Sequence, residues 1–278
     1  MQFKQPAYLL PLIVFSQFAG TSLWFAGNAI IADIQPTSNA LANITSIVQF
    51  GFIAGTLIFS LLTIADRFSA SKVFFFSSVI AAFANLLIIW MGKDVATLFI
   101  LRFITGFFLA GIYPVGMKIA ADCFPQKLGR ALGFLVGALV LGTAFPHLLK
   151  SQMQNFHWQN VLISTSALAF FGGLLILIFT PLYKRTSTNA LRLTTAFKIF
   201  SSPNLRSAAF GYFGHMWELY TFWAFVPAII LLYNDIHKTS INISLWSFII
   251  IAIGSLGCVA GGMLSQKFGS KKIALYAL

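Results

Sequence analysis

Two charged side chains, Arg102 and Glu218, lie well inside long apolar runs of the sequence. A charge surrounded by hydrocarbon is costly unless it is paired or hydrated, so such residues are candidates for ion or proton pathways. Glu218 falls about ten residues into its run, roughly 15 Å deep if helical, and Arg102 lies roughly 10 Å in from the other end of its own. The length of an Arg side chain can bridge that difference in depth. His215 precedes Glu218 by three residues and shares its helical face. Both can exchange protons, because a carboxyl out of water favours its neutral form and an imidazole titrates near neutrality. A packing pair and a histidine hydrogen-bonded within the helices are the structural alternatives. Trp24, Asn28, Tyr113, Trp217, Tyr220 and Trp223 can line an aromatic and polar cavity. Aromatics near helix ends commonly anchor at the membrane interface, so the mid-run Trp217 and Tyr220 stand out; core or lipid-facing packing suits each of the set equally.

The elements that must hold these residues follow from composition. The chain has 278 residues, 58% hydrophobic and 9% charged, with only six acids. A soluble domain carries roughly a quarter charged residues, so the outside of this chain must be lipid. Crossing the hydrocarbon takes roughly 20 apolar residues in a helix that satisfies its own backbone. Eight such runs are present, at Tyr8–Ala32, Ile44–Ile64, Val73–Met91, Val95–Met117, Gly129–Leu149, Asn160–Leu182, Ala208–Tyr233 and Ser244–Leu264. A ninth begins at Ile273 and stops at Leu278. The first run is longer than the roughly 7–15 apolar residues of a signal peptide and reads as an uncleaved span. The pairs Gly51/Gly55, Gly133/Gly137 and Gly257/Gly261 suit close helix crossings.

The net charge of +12 does not indicate nucleic acid, because Lys and Arg form short clusters between apolar runs and no basic stripe. Assigning alternate loops to one side gathers fourteen basic residues there and leaves only Lys93, Lys150 and Lys238 opposite. That asymmetry predicts an inner-membrane protein with its N-terminus and its longest loop in the cytoplasm. Cys123 and Cys258 are too few for a disulfide framework and read as packing residues. No metal-ligand pattern, phosphate loop or nucleophile elbow is present, so no cofactor is expected.

The longest loop, Tyr183 to Ser207, carries five basic residues and a Ser-Ser-Pro-Asn turn at Ser201–Asn204. It reads as a linker between two bundles, with Phe197, Lys198 and Phe200 either solvated or lying on the membrane surface. A repeat supports two bundles. Trp24 aligns with Trp223, and Ala29-Ile30-Ile31 with Ala228-Ile229-Ile230; the loop Asp66–Lys72 aligns with Gln266–Lys272. Both matches share an offset of about 200 residues, as in parallel duplicated transporter folds.

These loops carry a resemblance. The major facilitator superfamily has Gly-x-x-x-Asp-Arg/Lys-x-Gly-Arg/Lys-Arg/Lys between its second and third helices. Asp66-Arg67 matches the centre, with Leu62 and Ser69 at the glycine positions. The second copy keeps Gly262 and Gly269, with Lys267 and Lys271, and has Gln266 for the acid. Arg102 and Gly106 resemble the family's Arg-x-x-x-Gly pattern in its fourth helix.

The resemblance implies an all-α membrane protein with the major-facilitator fold. A six-helix bundle would span residues 1–183, a basic cytoplasmic linker 184–207, and an incomplete second bundle 208–278, truncated after the eighth helix. It implies that helices one, four, seven and ten line the cavity, which would set Arg102 and Glu218 on facing walls as an ion pair. Asp66, Arg67 and Arg130, with Gln266, Lys267 and Gly269 in the second copy, resemble the cytoplasmic charge cluster that latches the two halves. The expected function is proton-coupled transport of a small polar solute or organic anion, with the bilayer as surroundings and a monomer as the complete form. A truncated, non-transporting membrane protein is the alternative, and a membrane-embedded enzyme ranks behind both.

Overall fold

The computed structural model describes residues 6–34, 40–152, 157–181 and 200–277. Every regular element among them is helical. Among the described residues, eight helical spans are long and apolar enough to cross a membrane: Leu9–Ile34, Ala40–Leu61, Ala70–Met91, Val95–Cys123, Pro125–Gln152, Gln159–Phe179, Pro203–His237 and Ile243–Phe268. Their outward faces carry Phe50, Phe83, Trp90 and Ile253, each more than half exposed, as a lipid-facing surface requires.

The number and order of spans match expectation, but two of them are broken. The first runs as Leu9–Thr21 and Ala26–Ile34, with residues 22–25 between them forming a turn. At the break Thr21 Oγ1 donates to the Gln17 carbonyl (2.8 Å) and Ser22 Oγ to that of Ala19 (2.7 Å). Hydroxyls that bond back to the preceding turn compete with the helix ladder and bend it. The fourth span is likewise divided, into Val95–Leu109 and Tyr113–Cys123, with Pro114 in the first turn of the second piece. Asp94 caps its start, accepting from the Thr97 N–H (2.8 Å) and hydroxyl (2.7 Å). Those bonds hold the Asp94 carboxyl below its usual range.

The turn expected at Ser201–Asn204 is instead a helix start. Ser202 is the N-cap position and Pro203 begins a helix that runs unbroken to His237. Proline belongs in a first turn, where its missing N–H has no intrahelical partner to lose. Of the supposed surface segment, Phe197 and Lys198 lie outside the described residues, as does residues 184–199 of the basic linker.

Glycines set the tightest crossings. A Cβ on Gly51 would strike the carbonyl of Phe103, one on Gly55 that of Phe107, and one on Gly106 that of Val48, so the second and fourth spans pack backbone to backbone. The most extensive helix pairing joins the fifth and eighth spans. There a Cβ on Gly133 would lie 2.8 Å from Gly262 Cα, and one on Gly262 2.6 Å from Gly133 Cα. The expected Gly257/Gly261 pair is not at this crossing: nothing lies within 4 Å of a Cβ on Gly257, and Gly261 would meet only Ile273 at 3.9 Å. The first span packs on the fifth and sixth, and the third on the fourth and sixth. Cys123 is buried and Cys258 half-buried.

Candidate functional site at the break in the first span

A helix break frees backbone carbonyls that hydrocarbon cannot satisfy. In the first span those of Leu23 and Trp24 are satisfied by Arg102, whose guanidinium donates to the former at 3.2 Å and also to the latter. A third, longer contact reaches Asn85 Oδ1 at 3.5 Å. Arg102 is wholly buried, and a Cβ on Gly27 would lie 2.9 Å from its Nε, so glycine at position 27 makes room for it. Asn85, from the third span, in turn donates to Ser166 Oγ (3.0 Å), Thr165 Oγ1 (3.3 Å) and the Leu162 carbonyl (3.4 Å) on the sixth. One charged group thus ties four spans together around the break. Asn85 was not among the expected site residues, although an amide in the middle of an apolar span was a readable signal.

The ion pair expected between Arg102 and Glu218 is not formed. Among the described residues they are not within ion-pair distance, and Glu218 is exposed. The physical reason is that the freed Leu23 and Trp24 carbonyls lie within hydrogen-bond reach of the guanidinium and compensate the charge without a carboxylate.

An aromatic cluster forms around the break. The Trp24 indole stacks on Tyr220 at 5.3 Å between centroids and packs against Phe52 at 4.6 Å and Tyr113 at 6.5 Å. Phe25 stacks on Tyr220 at 6.4 Å and meets Trp223 edge-on at 6.3 Å. The aligned tryptophans, Trp24 and Trp223, thus sit in one cluster that joins the first, second, fourth and seventh spans.

Polar groups border this cluster. Asn28, one turn beyond Trp24, donates to Thr45 Oγ1 at 2.7 Å, while its Oδ1 is buried without a partner. Trp24 Nε1, Gln49 Nε2 and Thr56 Oγ1 are also buried and unpartnered. Thr45, Gln49, Phe52 and Thr56 share one face of the second span, a stripe at helical spacing. Such groups can exchange hydrogen bonds with a polar molecule whose flat or apolar side lies on the rings, Asn28 Oδ1 accepting and Trp24 Nε1 and Gln49 Nε2 donating.

Residues 9–278 match the family description Major Facilitator Superfamily. The chain belongs to the Major Facilitator Superfamily. It is a multi-pass membrane protein and a transporter of that superfamily, whose members act on small-molecule substrates within a membrane. No curated protein matches it in a direct comparison.

For a superfamily member, the loop charges are arranged differently from expectation. Asp66 pairs with Lys118 at 2.8 Å, and Lys118 approaches Asp122 at 3.8 Å. Arg130 is not part of that group; its guanidinium lies 5.8 Å over the Phe134 ring, one turn along its own helix. Arg67 is exposed. In the second copy Lys267 lies over Phe268 at 5.3 Å, and Gln266 is exposed beside the fifth-span Gly129. Gly269, with φ +87°, ends the eighth span in a conformation that side chains resist, whereas the aligned Ser69 has φ −60°. Each copy therefore carries the residue its own backbone tolerates.

Of the remaining candidates, Tyr220 joins the cluster while Trp217 is 79% exposed on another face of the same helix. His215 and Glu218 are both exposed and lie on neighbouring turns.

Proposed function

We propose that this chain works by alternating access, as a proton-coupled carrier of a small polar solute, with residues 1–183 and the helices from 208 onward as its two moving units. The stacking of Trp24 on Tyr220 carries the reading, because it joins the first and seventh spans through rings beside unsatisfied amide and hydroxyl groups. Trp24, Asn28, Tyr113 and Tyr220 contact the solute. Arg102 holds the break that presents them and does not meet the solute, because it is buried and committed to backbone carbonyls. That favours a polar solute over an organic anion. Glu218, with His215 on the same helix face, carries the proton, and the basic side of the protein faces the cytoplasm of a cell with the chain in its inner membrane. The test is uptake into proteoliposomes across a panel of sugars, amino acids and organic anions with an imposed proton gradient. Saturable, gradient-driven accumulation of an uncharged polar solute is expected; accumulation confined to anions would overturn the assignment.

A further inference from the structure

At the basic end of the helices, a groove of about 330 Å³ opens on the outer surface between the second, third and fourth spans. Its size falls in the range of ligand pockets, roughly 300–1,000 Å³. Its walls include Phe59, Phe76 and Phe108, and its mouth is formed by Phe68, Ser69 and Lys72. It exists because the second span ends at Leu61 and Thr63, with a φ of +50°, turns the chain into the short helix Ile64–Arg67 before the third span begins at Ala70.

The groove has one polar end. Lys72 is exposed and has no acidic partner among the described residues, and the nearby acid, Asp66, is taken by Lys118. Ser69 occupies the N-cap position of the 22-residue third helix but makes no side-chain cap bond, so its first-turn N–H groups remain available at the mouth. A helix start beside a lysine favours a phosphate. The rest of the lining is mostly apolar, with Phe59, Ile64, Val73, Phe76 and Phe108 beside Ser77, and Phe68 and Phe76 are each 58% exposed.

We propose that this groove binds an anionic phospholipid, with its phosphate on Lys72 and the third-helix N-terminus and an acyl chain along Phe59, Phe76 and Phe108. A soluble anion would leave the aromatic walls unused, and an apolar molecule would leave Lys72 unused. The assignment is independent of what the protein transports.

Native mass spectrometry of the detergent-solubilised chain, titrated separately with phosphatidylglycerol and phosphatidylcholine of identical acyl chains, tests it. The unmodified chain is expected to retain phosphatidylglycerol in preference. Lys72→Ala should lower that retention about fivefold, the effect of one surface lysine on an anionic headgroup, and leave phosphatidylcholine unchanged. Lys127→Ala removes the same charge elsewhere at this end and should have little effect. Phe68→Asp, which sets a carboxylate at the mouth, gives an independent second reading should Lys72→Ala not yield folded protein. Equal retention of the two lipids by the unmodified chain, or equal losses from Lys72→Ala and Lys127→Ala, would overturn the proposal.

Discussion

Arg102 donates to the backbone carbonyl of Trp24, and the indole of that same Trp24 stacks on Tyr220 of the seventh span at 5.3 Å. A buried charge in the fourth span thereby fixes the backbone of the residue through which the first span meets the seventh. The arrangement links a structural device to the surface on which a solute would bind.

The first prediction concerns the buried guanidinium. Arg102→Ala strands the Leu23 and Trp24 carbonyls in an apolar interior, and hydrogen bonds to charged groups contribute about 1.5–3 kcal/mol each. A large drop in the thermal unfolding midpoint of the detergent-solubilised protein is expected. Arg102→Lys, a compact charge that cannot reproduce the fork, should recover only part of it. An unchanged midpoint for Arg102→Ala would remove the clamp.

That residue also shows what the sequence could reveal. Its depth marked it as significant, but its partners depended on a break at residues 22–25 that contains no proline or glycine. Hydropathy is blind to such a break, because Ser22-Leu23-Trp24-Phe25 reads as one more apolar turn. The eight spans were legible because length and charge exclusion are properties of whole segments. The contact glycine of the eighth span was not: Gly257, Gly261 and Gly262 differ only in helical phase, which the neighbouring helix selects. Similarly, Asp66 showed its place in a loop, whereas its choice of Lys118 over Arg130 depended on how the fourth and fifth spans end.

The second prediction separates two aromatics on one helix. Tyr220→Ala removes ring contacts with Trp24, Phe25 and Trp223, and aromatic pairs contribute about 0.5–1.5 kcal/mol each. The half-saturating solute concentration should rise about fivefold or more, while Trp217→Ala, at a 79% exposed position, should leave it near the unmodified value. Equal effects of the two substitutions in the same uptake assay would contradict the cluster as a solute surface.

A third prediction follows from the fifth and eighth spans. Gly262→Leu forces side-chain atoms into the Gly133 backbone, and overpacking of this kind costs about 1–3 kcal/mol. Its unfolding midpoint should fall well below that of Gly257→Leu, where an added side chain meets open space. A comparison of the two proteins by thermal scanning settles which glycine makes the crossing.

Proton coupling through Glu218 is tested by Glu218→Gln in reconstituted vesicles. Glutamine keeps the shape and some of the hydrogen bonding of the side chain but cannot release a proton. Accumulation of the solute under an imposed proton gradient and solute-for-solute exchange without one should be measured on the same preparation. Glu218→Gln is expected to lose gradient-driven accumulation while exchange largely persists. Accumulation at the unmodified level, with the same dependence on the gradient, would contradict it.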